Sequence, residues 1–567
     1  MWLIVAVVVL ALAVAAVRSS GRAQLDRFRT EWGQPVDRRY KMDAILESHR
    51  SRVAAGGSGG SLDDRTWDDL NLDAVFAAVD RTVSTLGQHA LYHRLRTAPG
   101  ADHLDAFDAL VGRMGSDGPA RERAQVALAP LQDPNGYDLW WLARPDVLER
   151  RSWYVVFPLL AVALLLLAPG AWLWPSLLPA LVAALAVNVV LRISADRHIG
   201  AVAAVFRQLA PLIAAGQSLQ FLEGEDIDAV VRCVRAEVPR LRRLKLISRW
   251  VSGNPLMLPI VPSPLTVMIS DGVLVLSEYL NFLFPLDANA VYFGLGDLRA
   301  HDAAFLHVIA AIGDVDAAVS VASFRAGTGS WSRPRFQAPG QTAVFTDIRH
   351  PLVADAVPNT ITLEASRGAL VTGSNMSGKS TFLRTVGVNA VLAQTINTCL
   401  ASAYEAPVFN VQSCIGRADD LLTGKSYYIV EVEALLGLVR ASADKAPHLF
   451  LLDELFRGTN AVERIAAGQA LLEELVAGAG GRKPHVVLAA THDGELVELV
   501  ASHYDPYHFG DTVGPDGLVF DHRLQSGPST TRNAIVLLRL HGAPEGLVSR
   551  AMTCAAALDR QRAVASS

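Results

Sequence analysis

The stretch ALVTGSNMSGKSTFLRT, Ala369 to Thr385, limits what this 567-residue chain can fold into more tightly than any other part of it. Gly373, Gly378, Lys379 and Ser380 stand at the spacing G-x-x-x-x-G-K-[ST]. A short apolar run, Arg367–Gly373, precedes the loop, and a helix-forming run, Lys379–Gln394, follows it. Two glycines let the backbone curl so that N–H groups converge on phosphate oxygens at the positive end of a helix dipole. The spacing therefore predicts a buried strand, a phosphate loop and a helix. Lys379 is expected to reach the β- and γ-phosphates, and the Ser380 hydroxyl to ligate Mg2+.

A site of this kind needs an apolar strand ending in acid, and HLFLLDEL (His448–Leu455) supplies one. Asp453 is the expected magnesium ligand, directly or through water, and Glu454 the group that polarises an attacking water. A further apolar run, HVVLAATH, ends in His492, placed to sense the γ-phosphate or orient water. Parallel strands deliver their carboxyl ends to one crevice, which is why three separate runs can share a site.

Two other segments account for much of the 51% hydrophobic content. Trp2–Val17 is uncharged, close to the lower limit for a membrane span, and is followed by Arg18, Arg22, Arg27 and Arg29. A signal peptide is the alternative. The positive-inside rule puts the N-terminus outside and Arg18 onward in the cytosol. Trp153–Leu191 is about twice as long as one span needs, and APGAWLWP (Ala168–Pro175) interrupts it with turn and interface residues. We read a helical hairpin with both ends cytosolic, a re-entrant or buried helix pair being the alternative. AAGGSGGS (Ala54–Ser61) reads as a flexible linker. Four dispersed cysteines without a CxxC pair argue against a zinc ribbon or disulfide framework, and a net charge of −5 gives no global basic field.

TGSNMSGKST (Thr372–Thr381) resembles the phosphate loop of the MutS mismatch-repair family. RHPLV (Arg349–Val353), VPNT (Val357–Thr360), DDLLTGKSYYIVEVE (Asp419–Glu433), LLDELFRGTNAVE (Leu451–Glu463), ATH (Ala490–His492) and FDHRLQSG (Phe520–Gly527) are similar to further family segments, in the family's order. Upstream, Asp63–Arg96 resembles the start of the family's helical core and Ile312–Arg325 its end. The resemblance implies an α/β P-loop ATPase domain of ABC type over 336–567. An all-α MutS-like core and lever precede it over 62–150 and 193–335, interrupted by the transmembrane hairpin at 151–192, with an anchor at 1–18 and a linker at 19–61. It implies ATP and Mg2+ as cofactors, and a phosphate loop of Gly373, Ser374, Asn375, Met376, Ser377, Gly378, Lys379, Ser380 and Thr381. Val357 and His522 would face the adenine. Ser426 would enter the neighbouring subunit's site, so that hydrolysis needs a homodimer with composite sites. Phe456 stands where the family usually has glycine, and Tyr427-Tyr428 replaces a usual Thr-Phe.

No Phe-x-Glu mismatch wedge stands near the N-terminus, and 194–309 leaves room for a lever but not for long DNA clamps. Contact with mismatched or structured DNA is the family expectation. RAEVPRLRRLKLISRW (Arg235–Trp250) is a basic stretch suited to DNA backbone or to anionic lipid. The expectation is thus a multi-pass inner-membrane ATPase with its nucleotide domain in the cytoplasm and an unidentified protein partner. The alternatives are a transport-associated ATPase, which should carry an L-S-G-G-Q-like loop that this chain lacks, and a nucleotide-locked scaffold.

Overall fold

A computed structural model describes residues 19, 21–54, 60–132, 139–142, 152–222, 228–251, 279–365, 367–374, 376–416, 427–477, 484–514, 517–528 and 534–565. The apolar run Trp2–Val17, Asn375 and Ser426 with the segment before it lie outside the described residues. The chain divides into two units, 1–58 with 79–94 and 100–328, and 59–78 with 95–99 and 329–567.

The first unit is helical among its described residues. Its centre is the helix Asp302–Gly327, which is rich in Ala, Gly, Ser and Val and buries eighteen of its twenty-six residues. Small residues permit close crossings: a Cβ on Gly313 would lie 2.8 Å from that of Ala90. One on Gly87 would lie 2.3 Å from Asp316 Oδ2, so only glycine fits there. Asp316 accepts hydrogen bonds from Val83 N (2.8 Å), Ser84 N (2.6 Å) and Ser84 Oγ (2.6 Å), and so fixes Ser84, whose Oγ accepts from Gly87 N (3.1 Å) in the first turn of the helix that begins at Thr85. Burial pushes its carboxyl up to about 6 against those bonds. The two distant segments read as the start and end of a helical core therefore meet here, over 79–94 and 312–325.

The long apolar region forms two helices, Val156–Leu173 and Leu178–Phe206. The reversal falls at Trp174–Leu177, at the far end of the expected interruption Ala168–Pro175, because the first helix runs on through Pro169. A proline lacks an N–H and collides with the carbonyl four residues back, a cost that is least near a helix end. The first arm, counted from Ser152, is twenty-two residues, about 33 Å at 1.5 Å per residue. Most of its surface is uncovered: Leu166 is 69% exposed, Trp172 88% and, on the second arm, Ile193 74%. Buried Asn188 is the polar exception, its side-chain amide donating to the carbonyls of Phe282 (2.8 Å) and Leu283 (3.1 Å). The basic stretch Arg235–Trp250 runs from the end of the helix Asp228–Glu237 through a 3-10 turn at Val238–Leu241 into the helix Arg242–Val251, which is tied through Ser248 Oγ to Phe206 O (2.6 Å) and Ala210 N (2.9 Å).

The second unit holds ten strands in two sheets among its described residues: β1 Arg335–Phe336, β2 Ala343–Ile348, β3 Asn359–Leu363, β4 Gly368–Thr372, β5 Ala403–Ala406, β6 Asn410–Ile415, β7 His448–Asp453, β8 Val486–Ala490, β9 Tyr504–Gly514 and β10 Gly517–Ser526. The smaller sheet has the order β1-β5-β2-β3 and the larger β10-β9-β4-β8-β7-β6, parallel except for β10. β4 and β8 are buried along their whole length, as expected of parallel strands covered on both faces. Register fixes the site: Val371 of β4 and Asp453 of β7 both pair with Ala490 of β8, so three carboxyl ends finish level.

The edge strand β6 has an unexpected cover. Asp63 caps the short helix Asp64–Asp69 through Thr66 N (2.8 Å). Thr66 Oγ1 then accepts from Ser413 N (3.1 Å), while Asp69 Oδ2 accepts from Ser413 Oγ (2.8 Å) and Ile415 N (3.0 Å). Alternate outward N–H groups of a sheet edge are thereby satisfied. Residues 59–78 accordingly pack with the C-terminal sheets, not with the helical core to which 62–150 was assigned. Helical periodicity reveals that a segment has a face to bury, not which partner buries it.

Candidate nucleotide site

The loop between β4 and the helix Lys379–Ile396 depends on positive φ at Gly373 (145°), Met376 (72°) and Gly378 (115°). Gly373 and Gly378 reach such values freely, whereas Met376 does so at a cost. A Cβ at Gly373 would press to 2.8 Å on Ser377 Oγ and 3.0 Å on Phe509 O. The first N–H groups of the helix point back into this loop with no partner inside the helix. Lys379 is buried, its ammonium donating to Gly373 O (2.8 Å) and Ser374 O (3.0 Å), with His492 Nε2 at 3.4 Å. Burial lowers its pKa, while Glu454 and Asp453 oppose the shift.

Ser380 Oγ donates to Asp453 Oδ2 at 2.5 Å, joining the first helical turn to the end of β7. The other oxygen, Asp453 Oδ1, is buried and has no hydrogen-bond partner among the described residues. Burial raises the Asp453 pKa, against the Ser380 hydrogen bond, and adjacent Glu454 raises it further. Glu454 itself moves the other way: burial would raise it, but the hydrogen bond and charge of His492, with Arg457 and Lys379, bring it below the usual carboxylate range. Its Oε1 lies 2.5 Å from His492 Nε2, and its Oε2 pairs with Arg457. His492 is held by its neighbour, since Asp493 makes a two-pronged pair with Arg464 at 2.8 and 2.9 Å.

Around these groups opens a cleft of about 350 Å³ lined by Met376, Gly378, Lys379, Ser380, Thr381, Arg384, Gly416, Asp453, Glu454 and Arg457. Three cations and a helix N-terminus facing two carboxylates suit a polyanion that brings its own divalent cation. The orphaned, buried Asp453 Oδ1 beside Ser380 Oγ is the observation that fits magnesium, a hard cation taking oxygen ligands.

Of the two residues assigned to the base, His522 stands next to the loop. His522 (φ 52°) has Nδ1 at 3.0 Å from Ser377 O. Asn359, unassigned from sequence, joins both expected contacts: its amide donates to Val357 O (3.2 Å) and His522 O (3.0 Å), and its Oδ1 accepts from Leu524 N (2.7 Å). Ser374 and Ser377 carry buried hydroxyls without partners among the described residues. Arg384 and Arg457 were also missed. Arg457 could have been suspected from its place three residues after Glu454. Arg384 offers no such signal, since its tie to the Asp69 carbonyl (2.7 Å) spans more than three hundred residues.

Residues 369–559 match the family described as MutS domain V. The chain is 37% identical over 211 residues to the DNA mismatch repair protein MutS 2 of Halobacterium salinarum, covering 36% of this chain and 24% of that relative. It is 34% identical over 253 residues to the DNA mismatch repair protein MutS of Thermus thermophilus, covering 44% and 30%. For the DNA mismatch repair protein MutS of Sorangium cellulosum the figures are 33% over 257 residues, 43% and 27%. The chain thus spans less than a third of the length of these curated relatives.

Proposed function

The chain is a member of the MutS family through its C-terminal domain V, without the full length of the relatives it matches, and from that premise we propose that it is a membrane-anchored, Mg2+-dependent ATPase that works as a dimer. One observation carries the catalytic half: Lys379 curled into its loop beside a Ser380–Asp453 contact whose second carboxylate oxygen is buried and orphaned. Lys379 and the loop N–H groups hold the triphosphate, Ser380 and Asp453 hold magnesium, and His522 with Val357 flanks the adenine. Bound magnesium supplies neutralisation of charge on the β- and γ-phosphate oxygens. Glu454, ionised and aimed by His492, polarises the attacking water; His492 then stands where the leaving phosphate is sensed. Ser426 of a second copy completes the site. That reading rests on the likeness of Asp419–Glu433 to the family's signature segment.

The membrane half rests on the uncovered hairpin, whose twenty-two-residue first arm matches a hydrocarbon core of roughly 30 Å. Both arms return to the cytoplasmic side of the inner membrane, where ATP is available. DNA enters the proposal through the names of the relatives and through the exposed arginines 232, 235, 240, 242 and 243.

The test is turnover of the detergent-solubilised chain with and without duplex, mismatched and branched DNA. Magnesium-dependent hydrolysis that disappears in a Glu454→Gln protein still able to bind ATP is the expected result. DNA binding that weakens steeply with salt supports the DNA role. Unchanged turnover in Glu454→Gln removes Glu454 from its role, and stimulation by a small solute in vesicles instead of DNA favours a transport ATPase.

A further inference from the structure

The turn after β7 is strained at two places within three residues, since Glu454 and Phe456 have φ of 52° and 56° and neither is glycine. Side chains in the left-handed region persist only where their surroundings over-determine them. Glu454 N is held by Ala490 O on β8 (3.0 Å). Phe456 N donates to a side chain that nothing above assigns: Glu431 Oε1, at 2.7 Å. Glu431 lies on the helix Tyr427–Ala441, which follows directly on the segment containing Ser426, and is 6% exposed. Burying a carboxylate this deeply is costly, and it raises the Glu431 pKa; the N–H groups of the turn offset part of that cost at Oε1, while Oε2 has no hydrogen-bond partner among the described residues. The same turn is pressed on the same helix at a second point, where a Cβ on Gly458 would lie 3.1 Å from Tyr428 Cβ.

We propose that Glu431 is a positioning residue for Glu454. By gripping the Phe456 N–H it fastens the left-handed turn to the helix Tyr427–Ala441, so that the placement of this helix sets where the Glu454 carboxylate stands over the cleft. His492 and Arg457 hold the Glu454 side chain, while Glu431 and Ala490 hold its backbone. A helix beginning one residue beyond Ser426 thereby has a direct mechanical grip on the group that polarises water. The inference rests on the reading of Glu454 given above.

The experiment compares full-length wild type, Glu431→Ala, Glu431→Gln and Glu454→Gln in detergent. It measures kcat and KM for ATP together with amide hydrogen exchange of peptides covering 454–458. In Glu431→Ala we expect kcat to fall at least tenfold with KM within twofold. Exchange should quicken in 454–458 but not in β4 or β8. Glu431→Gln, whose amide oxygen still accepts from Phe456 N, should recover most of the rate, which a simple loss of packing would not predict. A Glu431→Ala protein as fast as wild type beside an inactive Glu454→Gln protein overturns the inference alone. Wild-type turnover in Glu454→Gln overturns the functional reading and the catalytic part of the inference with it. Unchanged exchange at 454–458 in both Glu431 variants overturns the fastening itself, whether or not the protein turns over. If the alanine variant does not fold, Glu431→Gln carries the same measurements and must show a smaller change in the same direction.

Discussion

Two helices of eighteen residues each, Val156–Leu173 and Lys379–Ile396, divide the molecule's physics between them. The first is the more apolar by composition, yet only Phe157, Leu160 and Leu164 of it are buried. The second carries Lys, Ser, Thr, Arg, Asn and Gln and still buries fifteen residues. In water this ordering is backwards, because each large apolar side chain left uncovered forgoes roughly 1.5–3 kcal/mol. It becomes sensible if the two helices answer to different surroundings. Lys379–Ile396 buries its polar groups because each finds a bond: Asn389 to Arg349 O (2.9 Å) and Leu400 N (2.7 Å), Gln394 to Phe409 O (2.9 Å). Val156–Leu173 has no polar side-chain group except the indole N–H of exposed Trp172, and the lipid proposed above would cover what protein does not. Composition alone cannot make this distinction. Asp302–Gly327 is also long and apolar enough to span a bilayer, yet protein covers most of it.

The sharpest way to break the comparison is to charge the first arm. Leu159→Arg with Leu166→Arg should cost about 5–7 kcal/mol of insertion if both sites lie near the bilayer centre, moving the protein out of the floating membrane fraction. ATP binding per folded molecule should stay within twofold, and retained flotation would argue for a packed helix pair. Next in size, Lys379→Ala should weaken ATP binding more than a hundredfold, about 3 kcal/mol or more, with membrane flotation unchanged. Nucleotide titration measures it, and affinity within fivefold of wild type would remove Lys379 from the phosphates. Gly87→Ala forces a methyl onto Asp316 and should destabilise the helical unit by about 1–3 kcal/mol in thermal unfolding, leaving nucleotide affinity unaltered. The smallest effect is expected from Ser248→Ala, about 1 kcal/mol, since it removes a bridge between Phe206 O and Ala210 N.

The phosphate loop was legible in sequence because its demands are local: two glycines at positive φ, a lysine and a hydroxyl at fixed spacing. The acid at the end of β7 was legible because an all-apolar run ending in Asp-Glu has few other uses. The hairpin was legible as two helices, and the turn falls at the far end of the expected Ala168–Pro175 interruption, since Pro169 is accommodated here near a helix end. What could not be read were contacts between residues far apart in sequence with no shared motif. Asn359 joining Val357 to His522, Arg384 reaching Asp69, and Glu431 meeting Phe456 arise from strand order and register, which a single sequence states only indirectly. The glycine-like backbone at Phe456 is instructive in another way: the substitution is visible in the sequence, but its cost and its remedy are visible only once the turn and its neighbour are seen together.

The guard on β6 has a practical consequence for anyone dissecting this protein. A fragment cut at 329 to isolate the nucleotide portion leaves behind Thr66 and Asp69, and with them the acceptors for Ser413 and Ile415. Such a fragment would present a raw strand able to recruit further copies of itself into aggregates. During synthesis the order is favourable, because residues 59–78 leave the ribosome long before β6 and are already waiting when it emerges. A soluble nucleotide-binding fragment should therefore be sought by fusing that short segment back on, not by trimming closer to the phosphate loop.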